Sequence, residues 1–177
     1  MEQLPLKGYR VIDLGWVAAA PIAASLLADM GAEVIKVEST KRIDSLRLSP
    51  DNLDRDPDKD PWFHSGVRGQ LSITVDITSP KAISLLKKLI GISHVVVENF
   101  SPGTMKERGL DYDSLREVNP QIIMISMPAT GQYGPLRDAV TYGPSLNGLA
   151  AMDSLIGYPG ERVLGMQQAY ADSNSAI

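Results

Sequence analysis

The sequence contains no cysteine, which excludes disulfide bridges, catalytic thiolates and cysteine-ligated zinc and favours a reducing compartment. It also lacks a run of roughly 18 apolar residues, the length that a membrane span needs. The first residues, 1–7, do not combine a basic start with a long apolar core as a secretory signal does. From these absences we expect a cytoplasmic protein without a membrane partner.

Clusters of basic residues are also missing. The 17 Lys and Arg are outnumbered by 21 Asp and Glu, and no basic run alternates with aromatic residues as a nucleic-acid platform does. Neither His64 nor His94 has a second histidine at metal-ligand spacing. The sequence therefore predicts neither a nucleic-acid partner nor a metal site.

Two further catalytic motifs are absent. No Gly-x-Ser-x-Gly elbow offers a serine nucleophile. The first apolar run is followed by Gly15-Trp16-Val17-Ala18-Ala19-Ala20-Pro21 instead of the Gly-x-Gly-x-x-Gly turn that lets backbone approach a dinucleotide. Glu38 does stand where a ribose-binding acid would lie, so a nicotinamide-dependent oxidoreductase remains an alternative.

The residues that are present alternate strand and helix signals. The 177 residues, 44% of them hydrophobic, suit one globular domain. Apolar runs predict strands at 10–14, 33–38, 71–76, 94–97 and 121–126. Capping, proline and glycine signals predict helices at about 21–30, 79–90 and 113–118. We therefore expect an α/β fold, an open and mostly parallel Rossmann-like sheet with helices on both faces.

Two regions depart from this alternation. Residues 39–69 are rich in Asp, Pro, Ser and Arg, which predicts a long solvated loop. After residue 127, where Gly, Pro and small residues dominate, the sequence predicts helical structure at 139–155 and a loop at 157–168.

The loops after the strands should meet, because ligands in open α/β sheets bind beyond the carboxyl ends of the strands. One crevice is expected beyond Leu14, Glu38, Val97 and Ser126. The loop after Val97 reads Glu98-Asn99-Phe100-Ser101-Pro102-Gly103 and precedes a helix. Its amide and ring could bind a flat ligand while the helix N-terminus faces phosphate, or the loop is a structural turn with Phe100 in the core.

Several short motifs together carry a family resemblance. In chain order they are Arg10-Val11-Ile12-Asp13-Leu14, Gly31-Ala32-Glu33-Val34-Ile35-Lys36-Val37-Glu38, Val97-Glu98-Asn99-Phe100-Ser101-Pro102-Gly103, Gly109-Leu110-Asp111-Tyr112, Asn119-Pro120 and Gly131-Gln132-Tyr133-Gly134-Pro135. Each is weak alone, but in this order they cover nearly the whole chain. The sequence resembles the class III CoA-transferase family, which includes formyl-CoA transferase, carnitine CoA-transferase and alpha-methylacyl-CoA racemase.

The resemblance implies a nucleophile. Asp172 matches the aspartate whose carboxylate, in formyl-CoA transferase-like members, attacks an acyl-CoA thioester to give a mixed anhydride and then an aspartyl thioester. From the residues alone, Asp172 is also a candidate N-cap for a helix starting at Ser173. The two roles are compatible, since a helix N-terminus stabilises a carboxylate.

The resemblance also implies where CoA would bind, as a substrate and not as a covalently bound cofactor. Asn99 and Phe100 would hold the adenine region, and Val17 and Ala18 would line the thioester site. The basic residues expected to bind CoA, which depart in position from the family pattern, are Lys41, Arg42 and Arg108.

The resemblance finally implies an activity and an assembly. Racemases of the family have a histidine followed by an acid where this chain has Val140-Thr141-Tyr142-Gly143, so transfer of CoA to a carboxylic acid is favoured over racemisation. Residues 1–177 would form the N-terminal part of the large CoA-binding domain, without the small domain. Because family dimers are interlinked, we expect a homodimer or a second chain that supplies the other half. An inactive CoA-binding or subunit-forming fragment is the alternative.

Overall fold

The computed structural model describes residues 4–166 and 168–177. Its strands are β1 (Arg10–Asp13), β2 (Glu33–Glu38), β3 (Leu71–Thr74), β4 (Val95–Glu98) and β5 (Ile123–Ser126). They form a five-stranded sheet in the order β3-β2-β1-β4-β5, and every pairing is parallel. The predicted open parallel sheet is confirmed.

The helices lie between and after the strands. They are α1 (Ala19–Asp29), α2 (Pro61–Gly66), α3 (Pro80–Ile90), α4 (Thr104–Glu107), α5 (Tyr112–Arg116), α6 (Gly143–Leu149) and α7 (Tyr170–Ser175). Short 3-10 turns occur at Ser45–Leu48 and Met152–Leu155. None of the helices in the described part of the chain is both long and apolar enough to cross a membrane.

The central strands bury both faces, because side chains alternate between the two sides of a strand. Val11 lies in a cluster with Ala20 and Ala24 of α1 on one face. The next residue, Ile12, lies in the cluster on the opposite face, where α3, α4 and α5 contribute Leu86, Ile90, Met105 and Leu115. Helices therefore cover both faces, as predicted.

The prediction of a solvated loop at 39–69 is confirmed only in part, because most of its residues are exposed but several are packed. This segment contains α2 and a 3-10 turn, and it buries Asn52, Asp60 and Phe63. Asp60 accepts hydrogen bonds from the N–H groups of Ser49 and Phe63, both at 3.0 Å. Polar side chains here satisfy buried backbone groups, so a polar composition does not mean solvation.

Two helix predictions near the end of the chain also fail. The predicted helix at 139–155 breaks after α6, because Ala151 takes a left-handed φ of 56° before the 3-10 turn. The helix predicted to start after Asp172 begins at Tyr170, so Asp172 lies in its first turn and Ala169 holds the N-cap position. The predicted loop at 157–168 contains an isolated bridge between Gly157 and Val163, and its residue 167 lies outside the described residues.

Candidate active site

A cleft of about 400 Å³ opens beyond the carboxyl ends of β1 and β4. These neighbouring strands mark the point where the strand order reverses, which is where open α/β sheets bind ligands. The loops after β1, β2, β4 and β5 all contribute residues to its wall, together with α6 and α7. The loops that the sequence analysis expected to share one crevice therefore do so.

Asp172 lies in this cleft where the N-terminal ends of three helices meet. The backbone N–H groups of Ala19, the first residue of α1, and Gly143, the first residue of α6, lie close enough to its carboxylate to favour the ionised form. Asp172 itself is in the first turn of α7. Burial raises its pKa above the ordinary value for aspartate, and the backbone N–H groups oppose that rise. The carboxylate is thus partly desolvated yet supported in its ionised form.

Gly143 makes this approach possible because it has no side chain. A Cβ atom at this position would overlap Oδ2 of Asp172 and lie 2.7 Å from Cβ of Ala169. Sequence reasoning named Gly143 only as the end of Val140-Thr141-Tyr142-Gly143, and its other signal was a glycine inside the helical stretch predicted at 139–155. The spatial partner that requires glycine is distant in sequence and could not be read from that signal.

The β1–α1 turn, residues 14–18, contributes Trp16 and Val17 to the cleft wall. Asn99 holds this turn by a reciprocal pair: its Oδ1 accepts from the N–H of Trp16, and its Nδ2 donates to the Trp16 carbonyl, both at 2.8 Å. Val17 has a left-handed φ of 62°, which is rare for a β-branched residue. Its N–H donates to Oδ2 of Asp44 at 2.9 Å.

Aromatic rings and cations line the same cleft. Phe100 and Trp16 meet edge to face, with ring centroids 6.2 Å apart and an interplanar angle of 62°. Arg42 stacks its guanidinium 4.6 Å from the Trp16 ring centroid, and Arg137 also lies on the cleft wall. Phe100 also packs against the core cluster beneath it, as expected for a structural turn, and its binding of a ligand ring stays a prediction.

Comparison with known proteins assigns the family. The sequence profile of CoA-transferase family III matches residues 6–177. The chain belongs to CoA-transferase family III.

One relative of this family III chain is the alpha subunit of succinyl-CoA–L-malate CoA-transferase from Chloroflexus aurantiacus. The two sequences are 38% identical over 160 residues, which cover 90% of this chain and 37% of that protein. Succinate–glutarate CoA-transferase from Agrobacterium fabrum is 37% identical over 177 residues, covering 98% of this chain and 44% of the relative. A crystal structure of a CAIB/BAIF family protein from Brucella suis superposes with a TM-score of 0.87 at 33% identity, covering 97% of this chain and 46% of that one. The family III chain thus spans less than half the length of each of these relatives.

The family III fold brings most, but not all, of the predicted site residues together. The cleft is lined by Val17, Arg42, Asn99, Phe100 and Asp172. Ala18 is the N-cap residue of α1, next to the cleft.

Two predicted cationic residues lie elsewhere. Lys41 pairs with Asp76 at 2.8 Å, and Arg108 donates from Nη1 to the carbonyl of Ile77 at 3.5 Å. Neither residue contributes to the cleft wall. Both side chains are engaged by these neighbours, so their predicted CoA contacts stay predictions.

The histidines have structural contacts. Nδ1 of His94 accepts a hydrogen bond from the N–H of Arg10 at 3.0 Å, and Nε2 of His64 lies 2.7 Å from the carbonyl of Asp58. Within residues 4–166 and 168–177, no group of three or more His, Asp or Glu side chains is arranged to hold a metal ion.

Proposed function

We propose that this chain carries the nucleophile for CoA transfer between an acyl-CoA thioester and a carboxylic acid, and that the nucleophile is Asp172. One observation supports this most strongly: a carboxylate lies in a ligand-sized cleft, with the first N–H groups of two other helices close to it. Burial that raises its pKa makes the carboxylate a better nucleophile, while the helix N-termini keep it ionised.

The proposed chemistry needs one carboxylate and no redox partner. Asp172 attacks the thioester carbonyl carbon, and the carbon–sulfur bond breaks. CoA departs as the thiolate, and a mixed anhydride between Asp172 and the acyl group is formed. The thiolate then attacks the aspartyl carbonyl, releasing the first acid and forming an aspartyl thioester. The acceptor carboxylate attacks that thioester, the carbon–sulfur bond breaks, and a second mixed anhydride joins Asp172 to the acceptor. The released thiolate then attacks the acceptor's carbonyl carbon, and cleavage of the anhydride carbon–oxygen bond gives the new acyl-CoA and free Asp172. The N–H groups of Ala19 and Gly143 are suited to stabilise the oxyanions that form on the aspartyl carbonyl.

The cleft residues suggest how CoA and the acid are held. Phe100 and Trp16 offer ring faces for the adenine, Val17 borders the thioester, and Asn99 shapes the site by holding the turn. Arg42 and Arg137 are the cations on the cleft wall, and they would meet anionic groups of CoA or the acid. Relatives named for succinate, malate and glutarate make dicarboxylic acids the first acceptors to test.

The rest of the assembly is also a proposal. We take residues 1–177 as the N-terminal part of a large CoA-binding domain, acting in the cytoplasm as a homodimer or with a second chain. Relatives named as alpha and beta subunits of one transferase favour the involvement of more than one chain. The alternatives are an inactive CoA-binding or subunit-forming fragment and a nicotinamide-dependent enzyme. The family assignment and the position of Trp16 and Val17 in the first turn favour CoA over a dinucleotide.

The test is covalent trapping. The chain is incubated with succinyl-CoA, a dicarboxylic acid and hydroxylamine, alone and with a polypeptide spanning the part of the Agrobacterium relative beyond the match. We expect a hydroxamate at Asp172 by mass spectrometry, and its loss together with a fall in turnover of several orders of magnitude in Asp172→Asn.

Exposed Asp113 on α5 supplies the matched control, since Asp113→Asn removes a carboxylate remote from the cleft. Turnover that persists in Asp172→Asn places the nucleophile elsewhere. CoA binding without any adduct in either mixture supports the inactive fragment, and a change in nicotinamide fluorescence on titration supports the dinucleotide alternative.

A further inference from the structure

The peptide group that precedes Trp16 is held at both ends by side chains from other parts of the fold. Its carbonyl, that of Gly15, accepts a hydrogen bond from Nζ of Lys36 at 2.6 Å. Its N–H, that of Trp16, donates to Oδ1 of Asn99 at 2.8 Å. Lys36 lies in β2 and Asn99 directly follows β4, so two strand ends fix this one peptide group.

The peptide group that follows Trp16 is held in the same way. Its carbonyl, that of Trp16, accepts from Nδ2 of Asn99 at 2.8 Å, and its N–H, that of Val17, donates to Oδ2 of Asp44 at 2.9 Å. The direction in which a side chain leaves the backbone depends on φ and ψ, the rotations between successive peptide planes. Because both planes are held, the direction of the Trp16 side chain is set as well.

The charged side chains that supply these bonds are themselves fixed. Lys36 and Asp44 are each 1% exposed, and Nζ of Lys36 lies 4.0 Å from Oδ2 of Asp44. Oδ1 of Asp44 also accepts from the N–H of Leu46 at 3.0 Å. Buried charges are costly unless they are paired and hydrogen-bonded, so these bonds are not given up easily. They can therefore impose the left-handed φ of 62° at Val17, which is unfavourable for valine.

The ring of Trp16 lines the cleft and contacts two other residues of its wall. The Phe100 ring meets it edge to face, and the Arg42 guanidinium stacks 4.6 Å from its centroid. Arg42 forms no ion pair with any side chain in the described part of the chain, so its contact with the ring is what holds this charge at the wall. A change in the direction of Trp16 would therefore move an aromatic surface and a cation together.

We propose that Asn99 and Asp44 are positioning residues for Trp16: they fix the peptide groups on both sides of it and so hold its ring, with Arg42 stacked on it, in place before a ligand binds. A surface that is ordered in advance binds more tightly, because fewer side chains have to be immobilised on binding. This benefit rests on the proposed binding of CoA in the cleft. The order of Trp16 is measured without ligand, so the two proposals fail separately.

The experiment is nitrogen-15 relaxation of the folded chain without ligand, read at the backbone amides of Trp16 and Val17 and at the Trp16 indole. We expect backbone order parameters of about 0.85 in the parent, as for rigid backbone, and below about 0.6 at Trp16 in Asn99→Ala. In Asp44→Ala, the larger fall should be at Val17, because its N–H loses its acceptor. The indole should lose order in both variants.

Two references separate this local effect from general loosening. Asn119→Ala is the matched control, since Nδ2 of Asn119 also donates to backbone carbonyls, those of Ile90 at 3.2 Å and Ser93 at 2.7 Å, but Asn119 does not line the cleft. It should lower stability and leave the order of Trp16 unchanged. The indole of the second tryptophan, Trp62, should be unchanged in every variant. An equal loss of order at Trp16 in Asn119→Ala would overturn the proposal.

The affinity for CoA measures the functional consequence. Asp44 does not line the cleft, so its removal reaches the ligand only through the turn. By calorimetric titration, Asp44→Ala should raise the Kd for CoA about two- to tenfold, and Asn119→Ala should leave it unchanged. A loosened Trp16 with an unchanged Kd would show that the two residues serve stability alone. A parent chain that does not bind CoA would count against the proposed function and leave the relaxation result in force.

A second variant covers the case in which Asp44→Ala does not fold. Asp44→Asn then replaces it, because asparagine has one acceptor oxygen for the two N–H groups that Asp44 serves. The same loss of order at Val17 or at Leu46 is expected. Order parameters that stay at the parent values in Asn99→Ala, or in the Asp44 variant that folds, overturn the proposal.

Discussion

At the scale of single residues, the candidate site depends on contacts between groups that are far apart in sequence. Asp172 is supported by N–H groups of Ala19 and Gly143, and Asn99 and Asp44 hold the turn that leads to Ala19. None of these supporting residues needs to touch a substrate to affect the cleft. Substitutions that change geometry by a single atom should therefore be informative.

Gly143→Ala is the sharpest such change, because the added methyl group would overlap Asp172 and crowd Ala169. We expect it to destabilise the chain by about 1 to 3 kcal/mol through overpacking, measured by urea unfolding, and to prevent trapping at Asp172. Gly148→Ala in the same helix is the control: its nearest neighbour is 3.7 Å away, so it should gain about 0.5 to 1 kcal/mol. Equal effects would show that the close approach at Gly143 is unimportant.

Asp76 gives a prediction about pH. Its ion pair with Lys41 and its hydrogen bonds from Thr78 hold its pKa below the ordinary value of 3.8. A carboxylate with a lowered pKa in the folded state contributes stability above its unfolded pKa, and this contribution is lost as the pH falls towards the folded pKa. Asp76→Asn should therefore lower the free energy of unfolding at pH 7, and the gap to the parent should begin to narrow below a pH of about 4.

Urea unfolding between pH 3 and 7 measures this gap. Lys41→Gln removes the partner instead of the carboxylate and should give a gap of the same sign. A gap that widens at acidic pH would contradict the prediction. Because Lys41 is paired with Asp76, it is less available to a CoA phosphate than Arg42, which lies on the cleft wall.

At the scale of secondary-structure elements, α3 shows how helical periodicity selects the buried face. Leu86 is 1% exposed and packs in the core with Ile90, whereas the adjacent Leu85 is 62% exposed. The two residues have the same side chain and the same helix propensity, and they lie in the same helix. They differ only in the direction that the 3.6-residue turn gives them.

Leu86→Ala should cost about 2 to 5 kcal/mol, because it removes buried apolar contacts and leaves a cavity. Leu85→Ala should change stability by about 0.5 kcal/mol or less, since that side chain already faces solvent. Chemical denaturation of both variants measures the difference. Comparable losses would mean that α3 packs on the sheet through a different face.

At the scale of the whole molecule, stability and ligand contact are concentrated in different regions. The central strands β1 and β4 are buried, while residues 131–140, which include part of the cleft wall, are exposed. Regions with few buried contacts open at low free energy, and binding segments are often among them. The cleft therefore lies between the carboxyl ends of the buried central strands and the exposed segment 131–140, which has few buried contacts.

Hydrogen exchange should separate these regions. We expect amides of β1 and β4 to exchange slowest and those of 131–140 to exchange fastest. Added CoA should slow exchange in the β1–α1 turn, in the turn after β4 and in 131–142, with α3 on the opposite face as an internal control. Protection confined to α3 would place the CoA site away from the cleft.

The sequence alone determined the frame of this protein. Apolar runs as short as Arg10–Asp13 and Glu33–Glu38, with proline and glycine at helix ends, predict strands and helices in the right order, because periodicity and capping are local properties. Family motifs also marked Asp172 as the candidate nucleophile. Prediction was incomplete at 39–69, where most residues are exposed as expected but Asp60 and Asn52 are buried and bond to backbone groups.

The tertiary structure decided the surroundings of that aspartate. Only the parallel order of the sheet brings the start of α1, the start of α6 and the first turn of α7 to one point, and only that meeting explains why residue 143 is glycine. It likewise separates Arg42, on the cleft, from Lys41, which pairs with Asp76. Hydrogen bonds and burial between distant segments set these outcomes, and a local pattern carries no information about which distant segment it will meet.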